Sequence, residues 1–544
     1  MDLNMTRRGA LGLAAGAVAA AGLTACGGGT AGGTSSQVQD TKRKGAMADY
    51  KTGVDFRATE PLEFTVLYSD HPNYPYKADW LLWQEITKRT NVTLKPTLVP
   101  MSDYNQKRNL LVAAGDSPMI IPKTYPGQET PMVSSGAILA VSDHTNLMPN
   151  YTEQVAKWKL ESELARLKQT DKKYYLLPGL HEEVWPDYSL IVRKDVFDRE
   201  GIAIPKTWDE LYSALKKLKE RYPAVIPFSD RYEGKSLTNI LSVTYGTQMG
   251  WGLISGVQFD TAKDAFTFAG STDDFKGAVG YLAKLVSEGL LDPASFTQKD
   301  DQAIQKFVNG QSFVISGNSQ DPPTHRASMD KVLGAGKYEI VKISNPAGPK
   351  GALMVGSRLE NGIMLSAKAA QQDTFVAMMQ FIDWLWYSPK GAELVKWGVE
   401  GTTFTKDASG KRKLAADINY VGLNPAGTKA LNKDFGFSGG VFAYGGSTEL
   451  LQSMFRDEEI AYQKDMAATH KPAPLDPPFP FSDAEREQAT LLQTPVLDTV
   501  NSNSLKFITG QRPLSEWDTY VKECDAKGAA KYLEMVNAAY KKTK

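Results

Sequence analysis

Apolar and polar positions divide this chain into three regimes. From Gly9 to Ala25 it carries no charge and is built mainly of Ala, Gly, Leu and Val. From Gly27 to about Thr59 it is polar, first Gly, Thr, Ser and Gln, then a basic patch at Lys42, Arg43 and Lys44. From Leu62 onward, strand and helix patterns alternate. "LEFTVLYSD" reads as a strand, "ADWLLWQEITKRT" as an amphipathic helix with Trp80, Leu81, Trp83 and Ile86 on one face, and "VTLKPTLVP" as a second strand. "SDYNQKRNLLVAAGDSP" predicts a helix capped by Ser102 and stopped at Gly115, followed by a short strand at "MII". A second run begins near Tyr188, where "YSLIVRKDVFDREG" predicts a strand and a short helix ending at Gly201. Thr207 and Glu210 then form a capping-box pattern ahead of Leu211, Leu215 and Leu218, with Pro223 as the stop. Helices closed by Gly289, broken at Pro389 and rich in charge at the C-terminus complete the pattern. Strands alternating with helices predict parallel α/β sheets.

The first regime is too short and glycine-rich for a permanent span, which needs about 20 strongly apolar residues. Arg7 and Arg8 give it the positive flank of an export signal. Leu23-Thr24-Ala25-Cys26 resembles the bacterial lipobox, in which the Cys thiol is acylated and the peptide before it is removed. The arginine pair resembles a twin-arginine signal. A buried Ala-rich helix ending in a core Cys is the competing reading, and the glycines at 27–29 oppose it. Residues 1–25 are therefore expected to be a lipoprotein signal peptide and 26–59 a flexible tether. Such a tether has too few large apolar groups to fold alone, and its reach is ~30 Å.

About 480 residues remain, enough for two or more domains. Sixty-two basic and 62 acidic residues balance, which excludes a nucleic-acid footprint. With Cys26 lipidated, Cys524 has no partner for a disulfide. The five histidines make no His-x-x-x-His pair, and no Cys-x-x-Cys occurs, so no metal is expected. "GFSGG" at 436–440 fits a nucleophile elbow, with Asp457 and His470 following in hydrolase order. The polar "ALNKDF" before it and the glycines after it argue instead for a glycine-rich loop. "EGKS" at 233–236 lacks the first glycine of a phosphate loop, and "DRYEG" and "DASGK" lack the alternating oxygens of a calcium loop. Paired carboxylates for glycoside hydrolysis are a spatial feature, and a surface glycan hydrolase stands as the alternative function.

Several stretches together resemble family 1 extracellular solute-binding proteins, in the large lipoprotein branch that serves bacterial ABC sugar importers. They are "LIVRKDVFDREGIAIPKTWDEL", "YLAKLVSEGLLDPASF", "FVNGQSFVISGN", "SPKGAELVKWGVEGTTF" and the C-terminal "FITGQRPLSEWDTYVKECDAKGAAKYLEMVNAAY", in the family's order along the chain. The resemblance implies an α/β fold of two lobes, of the type II periplasmic-binding-protein kind, joined by a hinge with the ligand cleft between them. Matching segments assigns 60–187 plus 311–366 to lobe 1 and 188–310 plus 367–544 to lobe 2. It further implies a monomer on the outer face of the cell membrane, held by its lipid anchor, that passes a sugar, in particular an oligosaccharide, to ABC permease subunits. No chemistry and no cofactor are implied.

A ligand held between α/β lobes meets loops at the carboxyl ends of strands. Sugars need flat aromatic platforms and planar hydrogen-bonding groups. Loops after the expected strands supply both: Asp70, His71 and Tyr74 in "YSDHPNYPYK", Trp185 in "GLHEEVWPDY", Trp251 in "YGTQMGWGL", and Asn318 in "GNSQD". Arg358, Glu400 and Tyr444 complete the candidate ligand-binding set. Arg358 could clamp ligand or join the lobes by an ion pair. Glu400 could accept sugar hydroxyls or cap a loop. Trp384, Trp386 and Trp397 sit at helical positions among apolar neighbours and read as core.

Overall fold

A computed structural model of the protein describes residues 42–544; the expected leader, Cys26 and the start of the tether lie outside the described residues. The first sheet is built on β1 (Leu62–Asp70), which pairs in parallel with β2 (Val92–Pro100) from Leu62 opposite Val92 to Asp70 opposite Pro100. On the other side β1 pairs in parallel with β3 (Ile120–Thr124). The strand Leu359–Leu365 then runs antiparallel between β3 and β4 (Leu177–Leu180). Alternation along β1 feeds two cores. Phe64, Val66 and Tyr68 enter one, with Trp80 and Phe381. Leu67 enters the other, with Val99, Tyr104, Ile121 and Met364. A sheet covered on both faces needs apolar residues at both parities, which is why β1 is buried almost throughout.

The second lobe carries a three-stranded sheet. Here β5 (Ser189–Arg193) lies between Val314–Gly317 and Ile340–Ile343, antiparallel to both, so the parallel arrangement expected from strand–helix alternation does not hold there. Leu190 and Val192 face a core shared with Trp208, Leu282 and Phe507, and Ile191 faces Phe307 and Met329.

These cores reassign two segments. Residues 311–343 belong with the second lobe, because Val314–Gly317 and Ile340–Ile343 flank β5. Residues 367–454 belong with the first, because Phe381, Trp384, Trp397, Phe404, Phe437 and Met454 share the core of Phe64. The sequence-based division gave 311–366 to lobe 1 and all of 367–544 to lobe 2. Periodicity reports which face of an element is apolar, not which sheet receives it.

Local signals fare better. Thr207 accepts the Glu210 N–H at 3.1 Å, although the Glu210 carboxylate reaches the Lys206 N–H rather than that of Thr207. Ser388 caps the helix Pro389–Trp397 through the Gly391 N–H, and Trp384, Trp386 and Trp397 are buried. Ser102, expected as an N-cap, instead lies in a short 3-10 turn, and the helix begins at Tyr104.

The chain crosses between lobes three times: at 181–188, at 344–358, and past the helix Asp457–Thr469. That helix ties the crossings together. Glu459 accepts from buried Lys342 at 2.9 and 3.1 Å, Gln463 Nε2 donates to the Pro186 carbonyl, and the His470 ring meets the Asn345 carbonyl at 2.7 Å.

Candidate functional site

The first lobe offers the loop after β1, the end of β3 and the glycine-rich segment 436–446. Asp70 accepts the Tyr76 N–H at 2.9 Å, which turns the loop back on itself. The His71 ring stacks on Tyr74 at 4.6 Å, and its Nδ1 accepts the Asn73 N–H. Burial, helped by the charge of Lys123, holds the His71 pKa below its ordinary value. Tyr74 itself is mostly buried and receives the Tyr68 hydroxyl on its carbonyl, so its body belongs to the wall. Gly439 and Gly440 press against it: a Cβ at Gly440 would sit 2.8 Å from the Tyr74 hydroxyl and 3.0 Å from Lys123 Nζ. Further along the wall, Glu360 Oε2 accepts from His181 Nε2 and from the Gly445 N–H, both at 2.9 Å. Burial opposes ionisation of Glu360, but the His181 bond and charge, the Gly445 N–H and Lys396 together hold its carboxyl down at about 2.

The second lobe presents three aromatic rings in mutual contact. Tyr188 lies 4.8 Å from Trp251, Trp251 5.2 Å from Tyr232, and Tyr232 6.0 Å from Tyr188, all inclined to one another. Trp251 remains 38% exposed, an unusual state for an indole in a packed cluster. Tyr232 is set by a backbone in the left-handed region at Tyr232, Glu233 and Gly234 (φ +58°, +54° and +71°). Two of these carry a Cβ, so neighbours must hold them. Arg231 lies over the Tyr232 ring at 4.1 Å while its Nη1 bonds Asp321 at 2.6 Å, and Asp300 takes the Tyr232 N–H. Asn318 Nδ2 reaches the Tyr188 hydroxyl at 3.3 Å.

Electrostatics join the two walls. Burial first, then the charge of Glu360 and the proximity of Tyr188 and Asp187, push the first-lobe Tyr125 hydroxyl up to about 12. Tyr125 thus feels groups of both lobes. Asp187, between the crossing segment and β5, is raised by burial and steadied by Lys342 and the Ser319 N–H. Trp185 stands in the same crossing, stacked on His181 at 5.9 Å and against Phe455 at 5.0 Å.

Of the residues expected to bind ligand, the structure brings Asp70, His71 and Tyr74 to the first-lobe wall, Trp185 to the hinge, and Trp251 with Asn318 to the second-lobe ring cluster. Two expectations, for Arg358 and Tyr444, are corrected. Arg358 is neither clamp nor inter-lobe bridge: it pairs with Glu163 at 2.6 Å and donates to the carbonyls of Trp158, Lys159 and Glu182, which uses its donors to close a helix end. Tyr444 is 5% exposed and packs in the first-lobe core under Gly179. Glu400 lies on an exposed turn and faces Lys406 at 3.7 Å. Lys123, Tyr125, Tyr188, Tyr232 and Glu360 were not singled out from the sequence. The stretch "DRYEG", tested there only for calcium ligands, is the strained turn that carries Arg231 and Tyr232.

A cavity of about 1100 Å³ lies between the helix Lys235–Tyr245, the hairpin at 257–268 and the third crossing. It reaches Gly252, the neighbour of Trp251, and is walled by Gln248, Gln258, Asp476 and first-lobe Arg166. Its size is at the upper end for small-molecule sites. Among the described residues no group of three or more His, Cys, Asp or Glu side chains could hold a metal ion, and no helix is long and apolar enough to cross a membrane. Cys524 is buried and free.

The model of the family described as bacterial extracellular solute-binding protein matches residues 74–393. The polygalacturonan/rhamnogalacturonan-binding protein YtcQ of Bacillus subtilis (strain 168) is 23% identical over 484 residues, covering 85% of this chain and 88% of its own. The fructooligosaccharide ABC transporter substrate-binding protein FusA of Streptococcus pneumoniae serotype 4 is 22% identical over 536 residues, 92% of this chain and 94% of its own. Among solved structures, the alginate-binding protein AlgQ2 without calcium ion is similar with a TM-score of 0.68 at 19% identity, covering 90% of this chain and 100% of that one. At such identity the structural likeness establishes the fold, that of two-lobed solute-binding proteins. A family match over most of the folded chain, joined to two lobes linked by three crossings, has one reading: this chain belongs to the bacterial extracellular solute-binding protein family.

Proposed function

We propose that this protein captures a carbohydrate, in particular an oligosaccharide, outside the cell and delivers it to the permease of an ABC importer, held to the membrane by a lipid on Cys26. Membership of a solute-binding family makes it a carrier and not an enzyme, and the hydrolase alternative is set aside. The observation that carries the sugar reading is the ring cluster Tyr188–Tyr232–Trp251 on the second lobe, with Trp251 38% exposed and Tyr188 close enough to act electrostatically on Tyr125 of the hydrogen-bonding first-lobe wall. Sugars present an apolar C–H face and a hydroxyl rim, and this pairing of surfaces matches both. Relatives named for polygalacturonan and fructooligosaccharide binding support the same class. The adjoining cavity gives room for more than one sugar unit.

Capture by closure needs only that ligand bind both lobes more tightly when they are shut. His71 and Asp70 on one side, Trp185 at the hinge, and Asn318 and Trp251 on the other are the contacts we assign to it. The test is calorimetry and thermal melting with a panel of neutral and acidic oligosaccharides, with the sugar recovered afterwards. At least one oligosaccharide class should raise the melting temperature and come back unaltered. Trp251→Ala should weaken that binding by about tenfold or more while melting like wild type. No thermal response to any saccharide, or recovery of a cleaved one, refutes the proposal.

A further inference from the structure

Lys123, next to last in β3, has φ +56°, a strained conformation for a residue with a Cβ. The strain is imposed from behind. The Tyr104 hydroxyl donates to the Pro122 carbonyl at 2.7 Å, and Arg108 Nη1 donates to the Lys123 carbonyl at 3.1 Å and to Thr124 Oγ1 at 3.3 Å. The result is an ammonium turned towards Gly440, beside the Tyr74 hydroxyl, in the space that a Cβ at position 440 would fill.

That ammonium has no counter-ion. Among the described residues Nζ makes no hydrogen bond or ion pair, and its nearest aromatic ring, Tyr125, is 6.0 Å away. Glu360 is the carboxylate whose charge reaches it, but both Glu360 oxygens are committed: Oε2 to His181 and the Gly445 N–H, Oε1 to Asn361 Nδ2 at 3.1 Å. Burial accordingly lowers the Lys123 pKa, with Glu360 only partly opposing. A half-buried ammonium with no anion of its own is a place where an anionic ligand group gains more than a neutral one. Hydroxyls of a neutral sugar would solvate it but leave its charge uncompensated, whereas a carboxylate would form a charge-assisted bond.

We propose that Lys123 Nζ and the Tyr74 hydroxyl, in the gap left by Gly440, form a subsite for the carboxylate of a uronic acid unit, so that the captured oligosaccharide is acidic. The inference rests on the carrier reading above and adds the charge of its substrate. The rings of Tyr188, Tyr232 and Trp251 then hold the sugar faces while this corner fixes the acid group.

The experiment is calorimetry of the protein with trigalacturonate and with its carboxyl-reduced, neutral counterpart. Wild type should bind the acid at least about tenfold tighter, the scale of one charge-assisted hydrogen bond. Lys123→Met should remove most of that preference, affinity for the acid falling several-fold more than affinity for the neutral sugar; Lys123→Arg should retain the preference. Affinity of wild type for the acid should also fall with added salt while that for the neutral sugar does not, a readout that needs no variant to fold. Equal affinity of wild type for the two sugars, or a preference that survives in Lys123→Met, overturns the subsite and leaves the carrier reading standing. Failure of every saccharide to bind instead defeats the carrier reading itself.

Discussion

His325 shows how much a single side chain can depend on burial. It is 1% exposed in the helix Asp321–Val332, beside the Phe307 ring at 5.6 Å, and neither ring nitrogen has a partner. Burial lowers its pKa to about 4, with Asp321 opposing and Arg231 assisting. In the unfolded chain an imidazole titrates near 6.5, so between about 6.5 and 4 the unfolded state binds a proton that the folded state refuses. Stability therefore falls as pH drops through that window, by up to about 3 kcal/mol from this group. His325→Leu should gain on wild type steadily from pH 6.5 to 4 in urea unfolding, at constant slope m. A stability difference that stays flat across the window would mean that the ring is not held neutral.

At the scale of the element, the turn Tyr232–Glu233–Gly234 and the helix Asp457–Thr469 are the parts that position the site. The turn holds three successive residues in the left-handed region, and only the last is glycine. Gly234 is required twice over: its φ is +71°, and a Cβ there would lie 2.5 Å from the Phe296 ring. Gly234→Ala should cost about 2 kcal/mol or more, from left-handed strain and the overpacked contact. Because Tyr232 is fixed by the same turn, sugar affinity should fall alongside stability. Urea midpoints and calorimetry on the one variant check both; unchanged affinity with lowered stability would separate the turn from the ring cluster. The helix acts at the hinge. Its Glu459 pairs with Lys342, which also lies 3.9 Å from the Tyr462 ring, so this buried ammonium just before the second crossing is not left bare.

For the whole molecule, three crossings bound by that helix permit rotation of one lobe against the other more readily than sliding. Polar contacts span the lobes, such as Arg166 Nε to the Asp476 carbonyl at 2.7 Å and Arg486 to the Thr130 carbonyl. A surface of that kind is a poor glue by itself, and the ligand must supply the rest. Small-angle scattering should show a smaller radius of gyration once a binding oligosaccharide saturates the protein. An unchanged profile at saturation would leave the lobes rigid and the capture mechanism without its motion.

The sequence by itself determined where several elements begin and end, because those signals are local: Thr207 as a cap, Gly201 and Gly289 at turns, Pro389 at a helix break, and apolar period within helices and strands. It also carried the family resemblance, and it placed Trp251 among the candidate ligand contacts. Which lobe received 311–343 and 367–454 was decided only in the tertiary structure, since an apolar face does not specify its partner sheet. The same holds for Arg358, whose donors were taken by carbonyls distant in sequence, and for Tyr444, which the core absorbed. Lys123 and Tyr232 gain their roles from backbone strain that long-range contacts impose, and no residue pattern encodes such a contact. Local stereochemistry writes the elements; the site exists only where distant elements meet.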